Sequence, residues 1–242
     1  MRDLSLNFFF VAPALRLPFS PVVHPVLEAV FNLVLAWAAA FAAFASDGVV
    51  PPGRGGSGRS SMWPTLLGMQ FLTNAVLLPY LALRPPPPGL SAAAGGDGKP
   101  PSTPRLFAED LGALEAAVGE SRALGPALAV VGAASVGWGL FARGDDFGDV
   151  PTRFASASVL LSHDRLGASF LVDLALFAAF QGWLVDDDLR RRGVSDPAKA
   201  TGELKALRAA AKFLPFFGLC AYAALRPPLP SRGAEGSEAE GA

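Results

Sequence analysis

Cysteine is almost missing: Cys220 is the only one, which excludes an internal disulfide and any Cys-x-x-Cys metal site. Histidine is nearly as scarce, with His24 and His163 on different segments. His24 and Glu28 are four residues apart, but two ligands do not make a metal site, and one imidazole does not make a pigment site. Charge is thin as well: 17% of residues are Asp, Glu, Lys or Arg, against about 25% in soluble domains. The net charge is −1, the basic residues form no stripe, and no nucleic-acid-binding signature appears, so nucleic acid is not an expected partner. The nucleophile elbow, phosphate loop, zinc-protease helix and dinucleotide fingerprint are absent. DDFGD at 145–149 lacks the spacing of a calcium loop and reads as a solvated loop.

Apolar sequence is what the chain has in quantity: 51% of residues are hydrophobic and the mean hydropathy is +0.37. These residues come in long blocks, as in multi-pass membrane proteins. A first span is predicted from Val26 to Ala45, with Pro25 at its first position. A second runs from Trp63 to Leu83, a third from Leu124 to Ala142 and a fourth from Leu166 to Val185, stopping at DDDLRRR. A fifth, Ala209 to Leu225, is the weakest, because Pro215 kinks it and Lys212 must snorkel. Phe107, Leu111, Leu114 and Val118 recur at helical spacing among acids and read as a short amphipathic surface helix. Ala129, Ala133 and Gly137 form a small-residue stripe suited to close helix approach.

The expected fold is therefore all-α: an integral membrane bundle of about five transmembrane helices plus one surface amphipathic helix. Residues 1–21 do not read as a signal peptide, because Leu6–Leu15 is short, Arg16 interrupts it and no cleavage site follows. They read as an interfacial N-terminal segment in which Pro13, Pro18 and Pro21 prevent a long helix. Residues 22–84 hold the first two spans, and 85–105 are a Pro/Gly linker expected to be disordered. Residues 106–226 hold the amphipathic helix and the last three spans, and 227–242 are an acidic tail expected to be disordered. Five spans put 13 of the 20 Lys and Arg residues on the N-terminal side and 7 opposite, which places the N-terminus on the cytoplasmic or stromal side.

Polar groups inside the apolar blocks carry the functional signal. Asp173 lies deep in the fourth span, where an ionised carboxylate costs about 2.5–3.5 kcal/mol on insertion scales. It needs a polar partner, and Gln70 or Asn74 of the second span is the best candidate. Gln181 follows Asp173 on its helix, and Glu28 and Asn32 share a face of the first span. Together these six residues form a candidate polar seam, usable for a proton, an ion or a small polar ligand. The competing reading is structural, with the amides joining helices at roughly 0.6 kcal/mol per hydrogen bond.

The stretch FGDVPTRFASASVLLSHDRLGASFLVDLALFAAFQGWLVDDDLRRRG, followed by FLPFFGLCAYAALRP, resembles a family of small polytopic membrane proteins found in bacteria, cyanobacteria and plastids. Asp173, the Gln181–Trp183 segment, the acidic-then-basic run Asp186–Arg192 and the Pro-containing last helix ending at Arg226 carry the likeness. MQFLTNAVLLPYLALR resembles the plastid members. The resemblance implies an integral membrane location, in a plastid (thylakoid or envelope) or alternatively a bacterial inner membrane, and implies no chemistry or cofactor. Three function classes follow: a non-enzymatic assembly, pigment- or lipid-binding factor, a small transporter or proton/ion carrier using Asp173, and a carotenoid- or lipid-modifying enzyme. The first leads because no catalytic constellation is visible and no internal repeat marks a transporter. The lipid bilayer, and a larger membrane complex, are the expected partners.

Overall fold

The computed structural model describes residues 2–7, 10–15, 17–47, 49, 62–84, 106–194 and 196–232, which contain helices and no strand. Helices α1 (Arg2–Leu6) and α2 (Val11–Ala14) cover the end of the bundle where α3 begins. Leu4 and Phe10 are buried there, and Phe10 stacks on Trp138 with centroids 4.8 Å apart.

Helix α3 (Pro25–Ala40) is the centre of the molecule. It starts cleanly, because Pro25 needs no N–H partner at that position and His24 Nδ1 accepts the Val26 N–H at 3.2 Å. A 3-10 turn, Phe41–Phe44, continues it. Helix α9 (Arg165–Arg191), capped by Asp164 on the Gly167 N–H at 3.0 Å, runs parallel to α3. The direction follows from the rings: Phe31 meets Phe170 at 5.6 Å, and Phe41 meets Phe177 at 5.3 Å. Helix α6 (Leu124–Phe141) runs antiparallel to α3, with Gly139 against Ala29 near the start of α3. Pro25–Phe44, Leu124–Phe141 and Arg165–Arg191 are long and apolar enough to cross a membrane, with mean hydropathies of 1.9, 1.6 and 1.7.

The second and fifth expected spans are not single helices. Residues 63–83 divide at Thr73, whose φ of 44° and ψ of −120° cannot continue a helix, into α4 (Trp63–Leu72) and α5 (Asn74–Leu83). The two fold back on each other. A Cβ on Gly68 would stand 3.0 Å from the Val76 side chain, whereas eight residues of continuous helix span about 12 Å. Both outer ends lie beside the end of α3: α4 packs on the 3-10 turn, and Arg84 reaches Asp47. Residues 202–225 divide likewise at Pro215 and Phe216 (φ 58°) into α10 (Gly202–Phe213) and α11 (Phe217–Leu225). Gly218 makes this hairpin possible, since a Cβ there would collide with the Ala210 carbonyl. Arg208 in the middle of α10 and Arg226 at the outer end of α11 both return to the Asp186–Asp188 run.

Other expectations also change. The amphipathic helix is a 3-10 turn (Ala108–Asp110) and one π-turn (Glu115–Gly119). DDFGD is a short helix, α7 (Gly144–Phe147), followed by the N-cap of α8 (Val150–His163), where Asp149 accepts the Thr152 N–H at 3.0 Å. Helix α9 does not stop at Val185, because the charges that follow find buried partners. The small-residue face that packs is Gly125, Gly132 and Gly139, against Cys220, Phe216 and Ala29, while nothing stands near a Cβ on Gly137. Within the expected acidic tail, Leu229 is buried and the Pro230 carbonyl accepts the Ala108 N–H at 3.0 Å. The 85–105 linker and residues 233–242 lie outside the described residues.

Candidate functional site

The first hairpin places its reversal against the middle of α9. Asn74, the first residue after the break, donates from Nδ2 to Asp173 Oδ1 at 2.8 Å and to the Asp173 carbonyl at 3.2 Å. Asn74 is 4% exposed, and its Oδ1 has no hydrogen-bond partner. Beside this pair lies a cavity of about 360 Å³. Ser5, Gln70, Thr73, Ser169 and Asp173 give it a polar side, and Phe31, Phe71 and Phe170 an apolar one. Pro79 lies inside α5 and supplies no N–H to the carbonyl of Ala75, which also lines the cavity. Asp173 keeps lone pairs free to accept beside its contact with Asn74, while Gln70 and Thr73 bring donors of their own to the same space.

Gln181 sits elsewhere and is fully engaged. It accepts from Trp37 Nε1 at 2.9 Å and donates from Nε2 to the Ala211 carbonyl at 2.6 Å, capping the inner end of α10. Glu28 forms a third centre at the opposite end of α3. It accepts from Trp138 Nε1 at 2.7 Å, from Arg143 Nη2 at 3.0 Å and from Asn7. Asn32 donates to the Glu28 carbonyl at 2.8 Å. His24 does not turn to Glu28: its Nε2 lies 3.0 Å from Ser156 Oγ. Burial, and then Arg153, push its imidazole below the ordinary value, with Glu28 pulling the other way. The six candidate residues thus occupy three places: Asp173, Asn74 and Gln70 at the hairpin tip, Glu28 with Asn32 near the start of α3, and Gln181 on its own.

A charged centre at the far end of α3 and α9 was not anticipated from sequence. Asp188 accepts from Arg192 Nε at 2.8 Å, Tyr222 at 2.7 Å and Arg226 at 2.9 Å. Asp187 pairs with Arg84 and Arg190, Asp186 with Arg208 and Lys212, and Asp47 with Arg84, Arg191 and Tyr80. Arg192 also donates to Glu120 at 2.8 Å. Burial alone would lower the Arg192 guanidinium, but Asp188 and Glu120 outweigh it and hold it above its ordinary value. Trp183 covers Arg84, whose guanidinium carbon is 4.5 Å from the ring centroid. The centre ties both hairpins to α3 and α9, so its chemistry is architectural.

No family model matches the chain, and no curated protein or solved structure is similar to it.

Proposed function

We propose that the chain is a non-enzymatic integral membrane protein that binds a small ligand in the cavity between Asp173 and the tip of the α4–α5 hairpin. The carrying observation is the Asp173 carboxylate, held by Asn74 at 2.8 Å and lining an open space of about 360 Å³. A carboxylate lining a cavity is matched by a donor, so the ligand brings a positive charge or an N–H or O–H group. The phenylalanines accept its apolar part.

Membrane placement is supported by the apolar residues left exposed around the bundle, among them Phe71, Val130, Phe141, Val172 and Phe213. In this reading α3, α6 and α9 span the bilayer. Both hairpins enter from the Asp188 end and turn back inside, where irregular backbone is tolerated if it is buried or lines a cavity. Among the described residues, Arg84, Arg122, Arg190, Arg191, Arg192, Lys199, Lys205, Arg208, Lys212, Arg226 and Arg232 belong to the Asp188 end, against Arg2, Arg143, Arg153 and Arg165 at the other. That bias puts the Asp188 end on the cytoplasmic or stromal side and the N-terminus across the membrane, reversing the orientation expected from five spans. A plastid as the compartment rests on the sequence resemblance alone.

A carrier is the second reading, favoured by the interrupted helix at Thr73. Helices broken beside an intramembrane acid are how many transporters build their sites. One comparison tests binding and separates the two. Wild type and Asp173→Asn are purified in mild detergent and their bound small molecules are extracted for mass spectrometry. Wild type retains a molecule that Asp173→Asn has lost, while both melt within about 2 °C, because an amide can preserve the Asn74 contact. Equal contents in the two preparations contradict the proposal. Uptake into sealed vesicles abolished by Asp173→Asn identifies a carrier.

A further inference from the structure

Where α10 and α11 return to the charged end, a groove of about 760 Å³ opens between them, walled by Leu204, Leu207, Ala210 and Leu225. It meets a smaller, more polar pocket of about 170 Å³ that holds Glu120 and Arg192. Arg122, Arg226, Pro227 and Pro228 line both spaces, so the two are one amphipathic cleft with a basic junction. We propose that this cleft seats one anionic phospholipid, its phosphate on Arg122 and one acyl chain along Leu204, Leu207 and Leu225.

Arg226 and Arg192 spend their donors inside the protein, on Asp188, Glu120 and the Gly119 and Pro227 carbonyls. Arg122 is exposed and has no acidic partner among the described residues. Its guanidinium can meet a phosphate with two parallel hydrogen bonds. The ion-paired centre behind it holds seven bases (Arg84, Arg190, Arg191, Arg192, Arg208, Lys212, Arg226) against five acids (Asp47, Glu120, Asp186, Asp187, Asp188), so its residual field favours an anion. Glu203, at the outer mouth of the groove, is the opposing charge. Helix α10 turns Leu204, Leu207 and Ala211 inward and leaves Glu203 and Lys205 in solvent, the pattern of a helix at a membrane surface. The inference uses the membrane placement proposed above but not the Asp173 cavity.

The test is the full chain in neutral detergent, titrated with phosphatidylglycerol, phosphatidylcholine, glycerophosphoglycerol or inorganic phosphate, with melting and native mass spectrometry as readouts. Phosphatidylglycerol should raise the melting midpoint and survive as a one-to-one adduct, while the other three should not. Arg122→Ala should weaken that adduct about fivefold, the effect of one basic residue on an anionic lipid, and Arg122→Lys should restore part of it. Arg122 is exposed, so neither change threatens the fold; Asp173→Asn should leave the lipid adduct intact. Equal stabilisation by both lipids, an Arg122→Ala protein that binds phosphatidylglycerol like wild type, or inorganic phosphate acting as well as the lipid would each overturn the proposal.

Discussion

Arg226 Nη1 donates to Asp188 Oδ2 at 2.9 Å, and the two side chains are 3% and 0% exposed. Arg226 closes α11 and Asp188 lies near the end of α9, so this contact fixes the second hairpin to the bundle. The same carboxylate receives Arg192 and Tyr222. Removing it strands three buried donors, and breaking a buried pair from one side costs about 3–5 kcal/mol. Asp188→Ala should therefore lose most of the stability measured by denaturation in detergent. A loss under about 1 kcal/mol would mean that the donors find other acceptors.

Packing gives a second expectation. A Cβ on Gly218 meets the Ala210 carbonyl, and one on Gly125 meets the Cys220 carbonyl; both are backbone and cannot swing aside. Gly218→Ala and Gly125→Ala should each destabilise by about 1–3 kcal/mol, the usual cost of overpacking. Gly137 has open space around it, so Gly137→Ala should be neutral or gain up to about 1 kcal/mol of helix propensity. Melting of the three variants checks the ranking, and an intolerant Gly137 would place a partner on that face.

His24 gives a pH dependence. Its folded value lies below the ordinary 6.5, so the unfolded chain binds the proton more readily. The stabilisation is complete above pH 6.5 and is lost as pH falls through the folded value. The groups facing it are Arg153 of α8, which disfavours the charged form, and Glu28 of α3, which favours it. Between pH 8 and 5, wild type should lose more melting temperature than His24→Gln. Equal slopes in the two proteins contradict the assignment.

Some of this was legible in the sequence and some was not, for physical reasons. The three long helices follow from hydropathy, since their apolar residues face either the core or the outside and no polar stripe interrupts them. The Asp173–Asn74 contact was foreseeable because a carboxylate in an apolar helix must find a polar group. The hairpins were hidden, because the largely apolar stretch 63–83 fits one span as well as two short helices, and nothing in LTNAV announces a reversal at Thr73. Pro215 announced the second break but not its direction. DDDLRRR read as a helix stop because runs of charge usually meet water; the partners that bury it, Asp47, Arg84, Glu120 and Arg226, are distant in sequence. Gly125, Gly132 and Gly139 did carry a signal, a seven-residue spacing on one helix face, which an overlapping alanine-rich stripe concealed.

The α4–α5 turn at Thr73 underlies the cavity, the Asp173 contact and the orientation, and side-specific labelling tests it most directly. Single cysteines at Val49, Glu109 and Asp146, in a Cys220→Ala background, are probed in sealed vesicles with a membrane-impermeant maleimide. If the chain turns back at Thr73, Val49→Cys and Glu109→Cys label from the same side and Asp146→Cys from the other. Labelling of Val49→Cys and Glu109→Cys from opposite sides would mean that residues 63–83 cross the membrane, and would contradict the account.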